Sequence, residues 1–289
     1  MIQLILAILC SSVIFVIFKL FIRYQIDTFQ AIVFNYLTAS FCGFSLYWNT
    51  WERNNLIQLS WIPFALTTGI LFISLFVILG LSAQRNGVAI TSVATKMSMA
   101  TGILGMIFLY HESVGLLKIL GIILAFAGVI AVSWVRSESK KGNESWWMLL
   151  ILFFGSGLLD IVLNYAQKNA LGSLTPALFS AIGLTIAGVF GFIILAIQLI
   201  QRKSKLQRKN IFAGILLGIP NYFSIYLLIS SYQSTGWKDS TVLSIINVSI
   251  VLISALLGLI FFQEKINRLK FIGLLCSITA IALLYFGES

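Results

Sequence analysis

Ten apolar runs, each long enough to cross a lipid bilayer, constrain the fold of this chain more than any other feature. A transmembrane helix needs about 20 consecutive apolar residues. Helices satisfy their own backbone hydrogen bonds in lipid, so we predict an all-α membrane protein with ten transmembrane helices. The runs lie near residues 2–22, 29–48, 61–83, 88–110, 115–135, 145–168, 173–200, 211–234, 239–262 and 268–287.

The composition agrees with a protein that lies in lipid. Apolar residues make up 59% of the 289 positions and charged residues only 10%, whereas soluble proteins carry about 25% charged residues. Lys and Arg outnumber Asp and Glu by 19 to 9, but they occupy short connections without interleaved aromatic residues, so we expect no nucleic acid partner. The three cysteines lie inside apolar runs without ligand spacing, and we predict no metal and no cofactor.

A short motif at the junction of the fourth and fifth runs recurs after a constant spacing of 152 residues. Because of this repeat, we predict two homologous five-helix units, residues 1–137 and 145–289, joined by a linker loop at 138–144. Five is an odd number, so the second unit must cross the membrane in the opposite orientation. Inverted repeats of this kind are common in secondary transporters, whose sites lie near the midplane. The recurring residues are Glu112, Leu117, Lys118 and Gly121, which return as Glu264, Leu269, Lys270 and Gly273.

The distribution of Lys and Arg predicts the orientation. Fourteen of these 19 residues fall in odd-numbered connections and four in even-numbered ones, while Lys96 lies inside the fourth run. Cytoplasmic connections carry the excess of positive charge. We therefore expect the odd-numbered connections in the cytoplasm and both termini outside.

The motif and its repetition resemble the EamA-type drug/metabolite transporter superfamily over essentially the whole chain. In both halves the fourth run ends in a Glu, within Tyr110-His111-Glu112-Ser113 and Phe262-Gln263-Glu264-Lys265, and a Gly opens the fifth run. The resemblance implies a ten-helix carrier with a central cavity, an exporter of amino acids or other small metabolites, in the cytoplasmic (inner) membrane of a bacterium. Related nucleotide-sugar carriers are described with cytoplasmic termini, opposite to the charge count.

Two charged side chains, Lys96 in the fourth run and Asp160 in the sixth, lie well inside apolar runs. Such charges are costly in lipid unless they are paired or face water. Both runs start on the same face, and the two positions differ in depth by roughly 10 Å. One interpretation is an ion pair that fixes packing. In the other, Lys96 binds an anionic group of a solute and Asp160 binds a cationic group or a coupling proton.

Uncharged polar residues in several runs extend the candidate substrate site. Each is either a ligand of the solute or one partner of an interhelical hydrogen bond. Asn164 lies one turn after Asp160 and shares its helix face. Pro220 in the eighth run predicts a kink or a polar notch. The candidate residues are Asn35, Asn164, Asn221, Tyr222 and Asn247.

The two repeated carboxylates, Glu112 and Glu264, lie at the membrane edges. They are candidates for helix capping or for pairing with Lys118 and Lys270, and alternatively for coupling transport to an ion. His111, the single histidine, is a further candidate for proton coupling.

Other functional classes have weaker support. A non-transporting scaffold or receptor would usually carry longer connections, and a channel would show rings of like charge. An intramembrane hydrolase could use Ser156 as its nucleophile, but the one histidine lies at the edge of another run. We therefore predict a transporter of a small solute, not an enzyme, and no catalytic residue.

Overall fold

The computed structural model of the protein describes residues 2–47, 59–110, 115–133, 146–169, 176–235, 239–264 and 268–288. Regular secondary structure in these ranges is helical throughout. The linker at 138–144, together with His111 and Glu112, lies outside them. The helices are α1 (Ile2–Arg23), α2 (Thr28–Tyr47), α3 (Ile62–Arg85), α4 (Val88–Met97), α5 (Met99–Tyr110), α6 (Leu116–Ser133), α7 (Trp146–Asn169), α8 (Pro176–Ile200), α9 (Arg208–Thr235), α10 (Asp239–Phe262) and α11 (Arg268–Glu288).

The helices make the chain an integral, multi-pass membrane protein. Eight spans among the described residues are long and apolar enough to cross a bilayer, with α4 and α5 counted together as Val88–Leu109. The apolar stretches of α6 and α11 are shorter, Ile119–Ala131 and Phe271–Gly287. The all-helical prediction is confirmed. One difference concerns residues 88–110, where the sequence predicts a single helix and the structure has two, separated at Ser98.

The helices pack mainly across the two halves of the chain. By their order in the sequence, we pair α1 with α7, α2 with α8, α3 with α9, α4 and α5 with α10, and α6 with α11. Three of these five pairs pack against each other, α2 on α8, α4 on α10 and α6 on α11. The remaining large contacts come in matched pairs, α2 on α9 with α3 on α8, and α1 on α9 with α3 on α7. The largest contacts between the two halves are therefore matched when the halves are exchanged.

Close approach of α2 and α9 depends on two glycines one turn apart. A Cβ atom at Gly214 would lie 2.5 Å from the Ala31 carbonyl oxygen, and one at Gly218 would lie 2.6 Å from the Asn35 carbonyl oxygen. No larger residue fits without moving a helix backbone. Two residues later α9 passes through Pro220 without ending, since it is helical from Arg208 to Thr235.

Candidate functional site

The centre of the candidate site is the interruption between α4 and α5. Ser98 separates the two helices inside one membrane span. Side-chain hydroxyl groups donate hydrogen bonds to backbone carbonyls near the break. Ser98 donates to the Thr95 carbonyl oxygen at 2.6 Å, and Thr101 donates to the Ser98 carbonyl oxygen at 2.7 Å. Ser98 keeps helical dihedral angles, and its carbonyl oxygen also accepts from the Gly102 backbone N–H at 3.0 Å. This carbonyl is therefore satisfied inside the membrane, where an unpaired one would be costly.

Lys96 lies in the last turn of α4, directly before the interruption. The C-terminal end of a helix carries partial negative charge, which stabilises a cation there. The Lys96 ammonium interacts electrostatically with the Asp160 carboxylate on α7, although the two groups are not in salt-bridge contact. Both side chains are half-buried.

Two glycines allow α7 to lie directly on the interruption. A methyl group at Gly157 of α7 would overlap the Thr101 hydroxyl and lie 3.0 Å from the Ser98 carbonyl oxygen. At Gly102 of α5, a Cβ atom would lie 3.3 Å from the Cβ atom of Asp160. The missing side chains therefore bring the Asp160 carboxylate alongside α5, at the level of Gly102.

Asn247 of α10 reaches the same region through a contact with α5. Its buried amide nitrogen donates to the Met99 sulfur at 3.4 Å. Met99 is the first residue of α5, three positions after Lys96. The structure thus gathers Lys96, Asp160 and Asn247 around one interruption, from three packed elements.

Asn35, Asn221 and Tyr222 form a second group, between α2 and α9. The Asn221 amide donates to the Asn35 side-chain oxygen at 3.2 Å, and both residues are buried. The Asn35 amide nitrogen has no hydrogen-bond partner among the described residues. The Asn35–Asn221 contact is an interhelical hydrogen bond, which was one of the two alternatives for these residues. The Asn164 side chain lies outside the described part of the structure.

The repeated carboxylate Glu264 caps the first helix of the interrupted span. Its oxygens accept hydrogen bonds from the backbone N–H groups of Val88 at 2.9 Å and Ala89 at 3.5 Å. Lys19 of α1 lies 3.4 Å from the same carboxylate. Capping was one of the roles considered for this residue, and its ionic partner in the structure is Lys19, whereas the sequence suggested Lys270. The Lys270 side chain and Glu112 lie outside the described residues.

Glycines also surround the Glu264 carboxylate. Gly87, the N-cap of α4, has a φ of 100°, which a residue with a side chain rarely adopts. A Cβ atom at Gly87 would lie 2.8 Å from the carboxylate, and one at Gly258 would lie 2.7 Å from it. The end of α10 is therefore fitted against the beginning of α4.

A polar cluster around the buried side chains of Gln30 and Asn210 joins the α1–α2 turn to the loop before α9. Gln30 donates to the Ser204 hydroxyl at 2.7 Å and to the Lys205 carbonyl at 3.1 Å. Asn210 donates to the Gln30 oxygen at 2.8 Å and accepts from the Asp27 backbone N–H at 3.1 Å. We call Asp27, Gln30, Ser204, Lys205 and Asn210 the Gln30 network. It links the two halves on the face that carries the odd-numbered connections.

Sequence reasoning missed Lys19 and the Gln30 network. All of these residues lie at or beside the ends of apolar runs, where polar side chains are expected on any membrane protein. The one available signal was that Gln30 and Asn210 lie just inside helices that begin on the same predicted face.

Comparisons with known proteins agree with the family resemblance. The model of the EamA-like transporter family matches residues 147–286. A protein of Haemophilus influenzae described as uncharacterized is 28% identical over 290 residues, which cover 98% of this chain and 97% of the relative. The resemblance drawn from the sequence is confirmed over residues 147–286, which are similar to the EamA-like transporter family.

Proposed function

We propose that the protein is a secondary transporter that exports a small polar solute, of the size and charge of an amino acid, across the inner membrane. The carrying observation is the pair of opposite charges, Lys96 and Asp160, at an interruption inside one membrane span. Charges at this depth persist where they face a cavity or each other. Because they are not in salt-bridge contact, a solute with one anionic and one cationic group can enter between them.

In this proposal the chain consists of two inverted five-helix repeats, residues 1–137 and 145–289, that enclose the site. The exchange symmetry of the helix packing supports this arrangement. Further support comes from Glu264, which follows α10 and contacts the beginning of α4, so the two equivalent helices run in opposite directions. Glu112 follows the far end of that span and would then emerge on the other face.

The charge count puts the odd-numbered connections in the cytoplasm and both termini outside. On that face the Gln30 network and the Glu264–Lys19 pair act as a closed gate between the halves. Opening towards the cytoplasm would break these contacts, and a matching set would form on the opposite face. Asn247 and the amide of Asn35 are the polar groups we assign to the solute path, and Asn164, Asn221 and Tyr222 remain further candidates for it.

Counterflow in proteoliposomes tests this function. Vesicles preloaded with an unlabelled amino acid should accumulate the labelled form with the purified protein, and the solute is found by screening for growth resistance. We expect Lys96→Ala and Asp160→Asn to abolish counterflow while insertion and monodispersity are retained. Arg85→Gln, which removes an exposed charge at the end of α3, is the matched control. Full counterflow in both site variants would refute the assignment.

A further inference from the structure

A cavity of about 660 Å³ opens on the face with the odd-numbered connections, between the α1–α2 turn, α3 and the α8–α9 loop. Its volume lies within the range of ligand pockets, about 300 to 1,000 Å³. The cavity is not the Lys96 site, because neither Lys96 nor Asp160 lines it. Neither the family nor the proposed function assigns it an occupant.

The lining of the cavity changes from basic to apolar with depth. Lys203, Lys205 and Lys209 line the part formed by the α8–α9 loop and the start of α9. Val77 and Leu81 of α3 line the opposite wall. Val77 lies eight residues before the end of α3 at Arg85, and at 1.5 Å per residue this is about 12 Å into the membrane. The cavity therefore extends from the level of the headgroups into the hydrocarbon region.

The charge of the lining selects an anion. Asp27 is the one carboxylate among the lining residues, and it already accepts hydrogen bonds from the backbone and side chain of Gln30 at 3.1 and 3.3 Å. Three lysines thus face the cavity against one occupied carboxylate. Basic residues in this loop also serve to fix orientation, but orientation alone requires neither a cavity nor an apolar wall.

We propose that this cavity binds an anionic phospholipid, with the phosphate against the lysines and the upper acyl chains against Val77 and Leu81. Basic side chains beside a membrane attract anionic headgroups, and a wall at hydrocarbon depth suits acyl chains. Gln30 and Asn210 line the same cavity, so the lipid contacts the network that joins the two loops. Bound lipid stabilises the closed arrangement of this face.

Native mass spectrometry of the full chain, released from detergent doped with phosphatidylglycerol or phosphatidylcholine, tests this site. We expect retention of one phosphatidylglycerol and no comparable retention of phosphatidylcholine. Lys203→Gln/Lys205→Gln should bind phosphatidylglycerol about 30-fold more weakly, since each lysine near the membrane surface contributes to binding and two charges are removed. The control Arg85→Gln/Arg268→Gln removes two exposed charges from the same face outside the cavity.

Three results would overturn the proposal. Equal losses in the two double variants would mean general attraction to the basic face. Equal retention of both lipids would mean that the headgroup charge is not recognised. Displacement by glycerol 3-phosphate at the concentration of the lipid would mean that the site binds a free phosphate ester. A Leu81→Asn variant that weakens phosphatidylglycerol binding but leaves glycerol 3-phosphate binding unchanged would support the apolar wall.

Discussion

Substitution of Glu264 tests how the two halves are held together. Glu264→Ala removes the charge-assisted hydrogen bond to Val88 at 2.9 Å and the weaker one to Ala89 at 3.5 Å. A hydrogen bond to a charged group contributes about 1.5 to 3 kcal/mol, and an N-cap contributes about 1 kcal/mol. The two energies describe the same contact between Glu264 and the start of α4, so they are not added. We expect the free energy of unfolding to fall by about 2 to 3 kcal/mol.

The ion pair with Lys19 contributes less. Its side chains are 20% and 16% exposed, and solvent-accessible pairs contribute about 0 to 1 kcal/mol. Glu264→Gln keeps an oxygen that accepts from Val88 but loses the charge, so we expect about half of the effect of Glu264→Ala. A double-mutant cycle with Lys19→Met should give a coupling energy of about 1 kcal/mol at most.

Thermal unfolding in detergent, followed by size-exclusion chromatography of a fluorescent fusion, measures these effects. A loss of 2 to 3 kcal/mol corresponds to a Tm lowered by about 5 to 10 °C on the scaling of soluble domains. Arg268→Gln, an exposed charge at the start of α11, is the control and should leave Tm unchanged. If Glu264→Ala unfolds at the same temperature as the parent protein, then Glu264 does not stabilise α4 as a cap.

Three further predictions concern the site, the orientation of the halves and the gate. Gly157→Val should abolish counterflow in protein that still inserts, because the new side chain separates α7 from the α4–α5 interruption, whereas Gly188→Ala meets only ordinary contact at 3.4 Å and should be active. Reporter fusions after residues 112 and 264 should report opposite faces of the membrane, and the same face would refute the inverted repeat. For the gate, a single cysteine is placed at the interruption and labelled from the face that carries the odd-numbered connections. Asn210→Ala should increase this labelling, and unchanged labelling would refute the gate.

The positions of the helices could be predicted from the sequence because apolar length alone decides them in lipid. Lys96 and Asp160 could be predicted as candidates for the same reason, since a charge inside an apolar run requires an explanation. The interruption beside Lys96 could not be predicted. Ser98 is neither proline nor glycine, the usual breakers of a helix, and serine is common in membrane spans.

The contacts between the halves could not be predicted from the sequence either. Gln30 and Asn210 are 180 positions apart, and each looks like an ordinary polar residue at the end of a span. The same holds for Lys19 and Glu264. Their pairing depends on how the helices pack, and one sequence gives no information about which ends meet. The sequence indicated Glu264 only because its motif is repeated.

The packing of each helix on helices of the other half has a consequence for biosynthesis. Among the described helices α1 is made first, and it has its most extensive contacts with α9 and also packs on α10, which are made much later. Until α9 and α10 are inserted, the main packing surfaces of the early helices must therefore be covered by lipid. The early helices can complete their packing only after α9 and α10 have been inserted, so a chain truncated before α9 would insert without acquiring its tertiary structure.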